Sequence, residues 1–382
     1  MREVIVVGAG PVGLLIAGLL AARGVDVSVL ERRERAGAGT RAIGVHAPVL
    51  AALEASGVTE SLLAHALRVA RGEARSAGRT LGVVRFDRLS TRFPFVATLP
   101  QAATESVLTA FAPTPERGAT VTSIAPGRDA VRVRVSTAAG EREESARVVV
   151  TASGWTGRSL VFRDVPTHMY PDRYLMSDVD VPDRPDADIA LVNLDPDGVL
   201  ESFPLPAGRR RLVAWDHAGD LPPEEDSDAA RVERLATAVA RRGEPEAAAA
   251  VEDAAAFGVR RVIAPQLRHG RLFAIGDAAH EVSPIGGQGM NLGLLDAATL
   301  APLIAQWVRT GESPDAALQA WERRRVRSAA TAARLAAVNT ALGRPLGPAA
   351  DAARRAALRL ALSRVAGMAF ASAYAMGLDA DA

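Results

Sequence analysis

The chain of 382 residues is 48 % apolar and 23 % charged, with a formal charge of +1. It has room for two or three average domains and lacks the strong field that nucleic acid or an anionic surface would attract. All 45 basic side chains are arginine and there is no cysteine, which excludes lysine Schiff-base chemistry, thiolate nucleophiles, disulfides and thiolate metal sites.

The six histidines, His46, His65, His168, His217, His269 and His280, have no metal-ligand spacing, so no metal is expected. Glu3 follows Arg2 directly, and the apolar residues beyond are broken by glycines. The reading is a cytoplasmic chain without signal peptide or spanning helix, with no nucleic-acid or membrane partner.

In chain order, "EVIVVGAGPVGLLIAGLLAARGVDVSVLERR" (3–33) reads as strand, glycine turn, helix and second strand, with Gly24 as a C-cap. A Gly-, Ala- and Arg-rich loop covers 34–46, and a helix at 47–56 is closed by Gly57. A strand-like stretch over 80–100 and a helix over 103–111 come next. "ATVTSIAP", "AVRVRVST" and "ARVVVTAS" then predict three strands, the middle one alternating cleanly. Four apolar stretches between 173 and 216 predict an antiparallel sheet inserted into the α/β framework. An acidic connector (219–228), a helix near 229–242 and the buried strand of "GRLFAIGD" follow. Residues 290–309 and 314–342 are expected to be helical, and 349–378 to form an Arg-rich amphipathic helix.

Two motifs carry chemistry. Gly8, Gly10 and Gly13 form G-x-G-x-x-G between a strand and a helix, with Glu31 ending the next strand. That spacing lets a pyrophosphate approach the backbone at the helix start while the acid accepts from a ribose hydroxyl. Pro11, Val12 and Arg32 flank these positions. The second motif, "GDAAHEVSPIGGQGMN" (276–291), puts Asp277 at the carboxyl end of an apolar strand. An extended loop from Pro284 through Gly287 to Gly289 then leads into a helix. The N–H groups of Gly289, Met290 and Asn291 would point into the site, with the positive helix end behind them.

With these motifs the chain resembles the FAD-dependent monooxygenases of the p-hydroxybenzoate hydroxylase-like, single-component aromatic hydroxylase type. The matching stretches run from residue 3 to about 325, and the segment from Asp277 to Asn291 is the most specific. The resemblance implies a Rossmann-like α/β FAD-binding domain built from 1–75, 100–165 and 265–325. It also implies an antiparallel-sheet substrate domain from 76–99 and 166–264, and a C-terminal helical segment over 326–382. Arg41 and Gln101 would reach the diphosphate and ribityl parts of FAD, Val121 would lie by the adenine, and Asp277 would hold a ribityl hydroxyl. The loop 284–291 would line the isoalloxazine. Family members usually carry D-G-x-x-S-x-V-R after the strand at 146–151. Here Ser153 stands for the aspartate, Gly157 for the serine and Leu160 for the arginine, which puts the use of nicotinamide in doubt.

The implied activity is hydroxylation or epoxidation of an apolar aromatic, polycyclic or terpenoid-like small molecule through a flavin C4a-hydroperoxide. NAD(P)H would be a transient co-substrate, and the protein a monomer or homodimer. Met176, Phe203 and Trp215 are the candidate pocket residues. His168, His217, Tyr170 and Tyr174 offer polar groups, but no spacing favours one as catalytic base. Two alternatives remain open: a reductase of the geranylgeranyl-reductase kind, and a non-catalytic flavin-binding partner protein.

Overall fold

The computed structural model describes residues 1–37, 42–217, 225–363, 367–379 and 381. The Val4–Val7 run is buried on both faces because it forms the middle of a parallel core. Strand Arg2–Val7 pairs in parallel with Val27–Glu31 on one side and with Gly140–Thr151 on the other. Leu272–Ala274 extends this sheet beyond Gly140–Thr151, again in parallel. The strands Thr120–Pro126 and Val131–Thr137 join it antiparallel. Helix Pro11–Ala21 lies on one face against helix Gly289–Thr310, with Val12 over Gly293 and with Leu14, Leu15, Leu292 and Leu295 in the same core. The strand ends therefore point towards the two helix starts, where the glycine motifs lie.

The second sheet has eight strands. The four expected between 173 and 216 are Thr167–Asp180, Ile189–Asp195, Gly198–Pro204 and Arg209–Trp215. Ala255–Ile263 and the hairpin Arg71–Ser76/Arg79–Arg85 widen it to either side. Sequence patterning missed Ala255–Ile263, whose alternation is broken by Gly258 and the adjacent Arg260 and Arg261, and Arg71–Ser76, which is mostly polar. Arg71–Ser76 pairs in parallel with Ile189–Asp195, so this sheet begins ahead of residue 76. The strand expected over 80–100 is divided. Arg79–Arg85 belongs to the large sheet and Val96–Thr98 to a small three-stranded one, with Pro94, which has no N–H to donate, between them.

The tail is not the single helix expected over 349–378. Helix Pro348–Ala361 ends at Leu362, and a second helix spans Gly367–Tyr374. Leu362 sits on the sheet at Gly82, where an added Cβ would lie 2.3 Å from that of Leu362. Among the described residues no helix is long and apolar enough to cross a membrane.

One buried charge cluster ties these layers together. Asp296, fully buried in helix Gly289–Thr310, accepts hydrogen bonds from the Gly276 amide at 3.0 Å and from the Arg325 Nε at 2.8 Å. It also meets His280 Nε2 at 2.6 Å. Arg325, on helix Asp315–Leu342, goes on to Asp379 at 2.8 Å and Asp381 at 3.1 Å in the tail, and to the Leu292 carbonyl at 3.1 Å. Burial opposes the ionised form of Asp296, but His280 and Arg325 outweigh it and hold the carboxyl well below the usual range. Removing one member strands the others without water. Arg325→Met or Asp296→Ala is expected to cost about 3–5 kcal/mol of folding stability in chemical denaturation, and a loss below about 1 kcal/mol would contradict this account.

Candidate functional site

A single cavity of about 930 Å³ runs from the first glycine motif to the face of the second sheet. Its first end is built for an anion. Gly8 has φ +104°, and a Cβ there would lie 2.6 Å from the Ala152 carbonyl oxygen. Gly13 packs so closely that its Cβ would reach within 1.9 Å of the Gly8 carbonyl. These contacts bring helix Pro11–Ala21 tight against the sheet, with its start at the cavity. Its N-cap, Gly10, supplies no side-chain acceptor, so the first-turn N–H groups stay available to a bound phosphate. Glu31 accepts from the Ala9 amide at 2.7 Å and from the Arg33 amide and Nε at 2.9 and 3.0 Å. Burial raises its pKa, but the hydrogen bonds from Arg33 and Ala9 outweigh that and keep the carboxyl below its ordinary value. It is an ionised acceptor at neutral pH.

The second helix start faces the middle of the cavity. Helix Gly289–Thr310 begins without a side-chain cap, and its first intrahelical bond runs from the Leu292 amide to Gln288. The amides of Gly289, Met290 and Asn291 are thus unpaired within the helix. The preceding loop is pinned by Asn291. Its side chain accepts from the His46 amide at 2.9 Å and donates to the carbonyls of Gly44 at 2.8 Å and Gly287 at 3.1 Å. His46 lines the cavity here, and burial pushes its imidazole down to about 4, so it is neutral. Among the described residues, two buried polar atoms of the cavity lining, His46 Nδ1 and Ser153 Oγ, have no hydrogen-bond partner. A Cβ at Gly157 would lie 2.1 Å from Ser153 Oγ, so these two departures from the family pattern are packed against each other.

The far end is walled by the second sheet. Met176, Val213, Glu201 and Val192 form one row across four strands. Leu358, Leu362, Phe370 and Tyr374 of the tail line the same cavity. Glu201 is 4 % exposed, and burial alone pushes its carboxyl up to about 8.

Of the residues singled out from sequence, Gly8, Gly10, Pro11, Val12, Glu31, Arg32, Gln101, Val121, Asp277, Pro284, Gly287, Gly289, Met290, Met176 and Phe203 line this cavity. Gln101 starts helix Gln101–Phe111 and ties the Ala42 amide to Glu105. Arg41 lies outside the described residues. Gly13 acts through packing, and the Asn291 side chain clamps the loop, away from the cavity surface. Trp215 lies beyond the cavity's end. Its indole donates to Asp172 at 3.3 Å, and it lines a separate space of about 230 Å³. Sequence reading passed over Arg33, His46 and Glu201. Glu201 is two residues from Phe203 on the same strand and so shares its face, which is the signal that could have found it.

Because the Glu201 carboxyl lies above its ordinary 4.5 in the fold, its stabilising contribution is complete only below pH 4.5 and is lost as pH rises through 8. Glu201→Gln, which does not ionise, is expected to gain stability over wild type across that window, on the order of a few kcal/mol at its top. Thermal melts at pH 4.5 and 8.5 measure this, and an equal difference at both would refute it.

Comparison with known proteins agrees with this geometry. A family model described as "FAD binding domain" matches residues 1–336. The chain is 33 % identical to 6-methylpretetramide 4-monooxygenase of Streptomyces rimosus over 80 % of its own length and 56 % of the relative's. It is 29 % identical to rifampicin monooxygenase of Rhodococcus hoagii, covering 90 % of itself and 73 % of that protein. The chain thus spans little more than half of the first relative's length. Among solved structures, p-nitrophenol 4-monooxygenase PnpA from Pseudomonas putida DLL-E4 superposes with a TM-score of 0.86 at 24 % identity, covering 97 % of this chain and 96 % of that one, a likeness of fold. OxyS anhydrotetracycline hydroxylase from Streptomyces rimosus does so with a TM-score of 0.78 at 27 % identity, covering 98 % and 76 %. With the family model matching most of its length, the chain belongs to the FAD-dependent aromatic monooxygenase family, of the p-hydroxybenzoate hydroxylase-like type.

Proposed function

We propose that the protein is an FAD-dependent monooxygenase that hydroxylates or epoxidises an apolar aromatic or polycyclic ring, with NAD(P)H as reductant. The observation that carries this reading is the continuity of the cavity from the glycine turn at Gly8 to the apolar row of the second sheet. The residues suit the cofactor. Two uncapped helix starts offer N–H groups, one towards a diphosphate and one towards the electron-rich edge of a flavin. Glu31 is an ionised acceptor for a ribose, and the partnerless Ser153 Oγ and His46 Nδ1 border the path between them. Bound FAD would supply the redox chemistry, taking electrons from nicotinamide and activating dioxygen.

The chain's own residues supply binding, orientation and dryness. Val121 would lie against the adenine, Gln101 and Asp277 would hold the diphosphate and ribityl chain, and the segment from Pro284 to Met290 would bear the ring system. The second sheet would be the substrate domain, with Met176 and Phe203 against the substrate. Relatives named for tetracycline- and rifampicin-type substrates support a polycyclic ring. The neutral state of His46 and Glu201 favours the same class, because uncharged walls hold water less strongly.

Glu31→Ala is expected to weaken FAD binding by about 10- to 100-fold, the worth of one charge-assisted hydrogen bond, in a fluorescence-quenching titration of the apoprotein. An unchanged Kd would remove Glu31 from the cofactor site. For activity, the FAD-loaded protein is supplied with NADH or NADPH and a hydroxylated polycycle. The expected result is oxygen uptake that the ring compound stimulates. Turnover that needs no oxygen, or no nicotinamide oxidation with either coenzyme, would overturn the reading, and Ser153, Gly157 and Leu160 make the second outcome the sharper trial.

A further inference from the structure

The far end of the cavity is largely apolar, and Glu201 is a buried carboxyl on its wall. Glu201 lies mid-strand in Gly198–Pro204, opposite Val213 on one neighbour and Val192 on the other, and lines the cavity at 4 % exposure. Among the described residues no hydrogen bond or ion pair reaches its carboxyl group, and burial is the one influence on its ionisation. A buried carboxyl with no partner is costly to keep, since an apolar or amide side chain would fit the same row without that cost. Nothing in the fold uses it: the sheet's hydrogen bonds are made by backbone, and its buried ion pairs lie elsewhere. A group of this kind that faces a ligand cavity is placed for the ligand.

The groups around it narrow the chemistry. Tyr374 faces the cavity from helix Gly367–Tyr374, and Tyr174 lies on the same face of strand Thr167–Asp180 as Met176. The pKa values of both phenols are raised, by burial first and for Tyr174 by the Asp172 charge next, so both stay protonated. Arg211, two residues from Val213, engages Asp178 through two hydrogen bonds of 2.6 and 2.7 Å. Arg211 lines the cavity too, but its charge is already balanced by Asp178, which disfavours selection of an anionic substrate. What suits the position is a neutral oxygen on an otherwise apolar ring.

We propose that Glu201 is the specificity residue for a ring hydroxyl, hydrogen-bonding the phenolic oxygen of a polycyclic substrate and so fixing which ring edge faces the flavin. This deepens the monooxygenase reading and rests on it for the flavin side. The bond itself is testable without turnover. A carboxyl group and an amide can both donate to and accept from a phenol, whereas leucine can do neither.

The experiment is equilibrium dialysis of FAD-loaded wild type, Glu201→Gln and Glu201→Leu against 2-naphthol and against naphthalene, with no reductant present. Wild type is expected to prefer 2-naphthol by about tenfold, the worth of one buried hydrogen bond. Glu201→Gln should keep that preference within about threefold, and Glu201→Leu should lose it while binding naphthalene as wild type does. The flavin spectrum and melting temperature of each variant establish that the fold and cofactor site are intact. A preference that survives in Glu201→Leu, a wild type that does not discriminate, or no binding of 2-naphthol at all would each overturn the proposal. Failure of oxygen uptake with an intact 2-naphthol preference would instead strike the monooxygenase reading and leave the recognition of the hydroxyl standing.

Discussion

The carboxylate of Asp296 is the constraint on which the site depends. An ionised group with no exposed surface has to be surrounded by donors, and here the donors come from separate parts of the chain: the Gly276 amide, His280 and Arg325. Satisfying one charge therefore fixes the turn that carries Asp277, the helix that starts at Gly289 and the long helix Asp315–Leu342 relative to one another. Arg325 passes the same restraint on to Asp379 and Asp381 at the chain's end. His280, conspicuous in the sequence, belongs to this anchor and takes no place on the cavity wall.

From that anchor the cavity acquires a polarity along its length. At the glycine turn, an ionised Glu31, Arg33 and a bare helix start make a wet, charged end suited to phosphates and sugar hydroxyls. Towards the second sheet two titratable side chains are held neutral by burial: His46 without its proton and Glu201 with it. The two shifts have opposite directions and one cause, since each removes charge from a low-dielectric wall. Hydrogen-bonding groups thus gather at one end of the cavity, and apolar side chains that would exclude water line the other.

The tail completes the enclosure. Leu362 lies on Gly82 and Tyr374 on the cavity, so the apolar end is roofed by residues far in sequence from the strands they cover. Both helices of the Arg-rich stretch contribute to it, the first through Leu358 and the second through Phe370 and Tyr374.

Much of this was legible beforehand because it is local. The first glycine motif, Glu31 at a strand end and the loop before Gly289 are fixed by backbone requirements within a few residues, and the alternating strands by the pattern of inward side chains. The second sheet was half visible: strands with clean apolar faces were read, while Arg71–Ser76 and Ala255–Ile263 were not, because neighbouring strands supply the burial their own residues do not announce. Trp215 and Phe203 looked equivalent in sequence. Their separation depends on how far the cavity extends along the sheet, which no strand encodes by itself. Likewise "GVLESFPL" offered Glu201 as one more polar residue. That it is buried on the cavity wall, with no hydrogen bond to it from the described residues, follows from Val192, Val213 and the distant tail closing around it. The sequence by itself determined the cofactor-facing turns, whose conformations are short-range. Tertiary structure decided which charges were buried and what they faced, because desolvation is set by every element packed around a group.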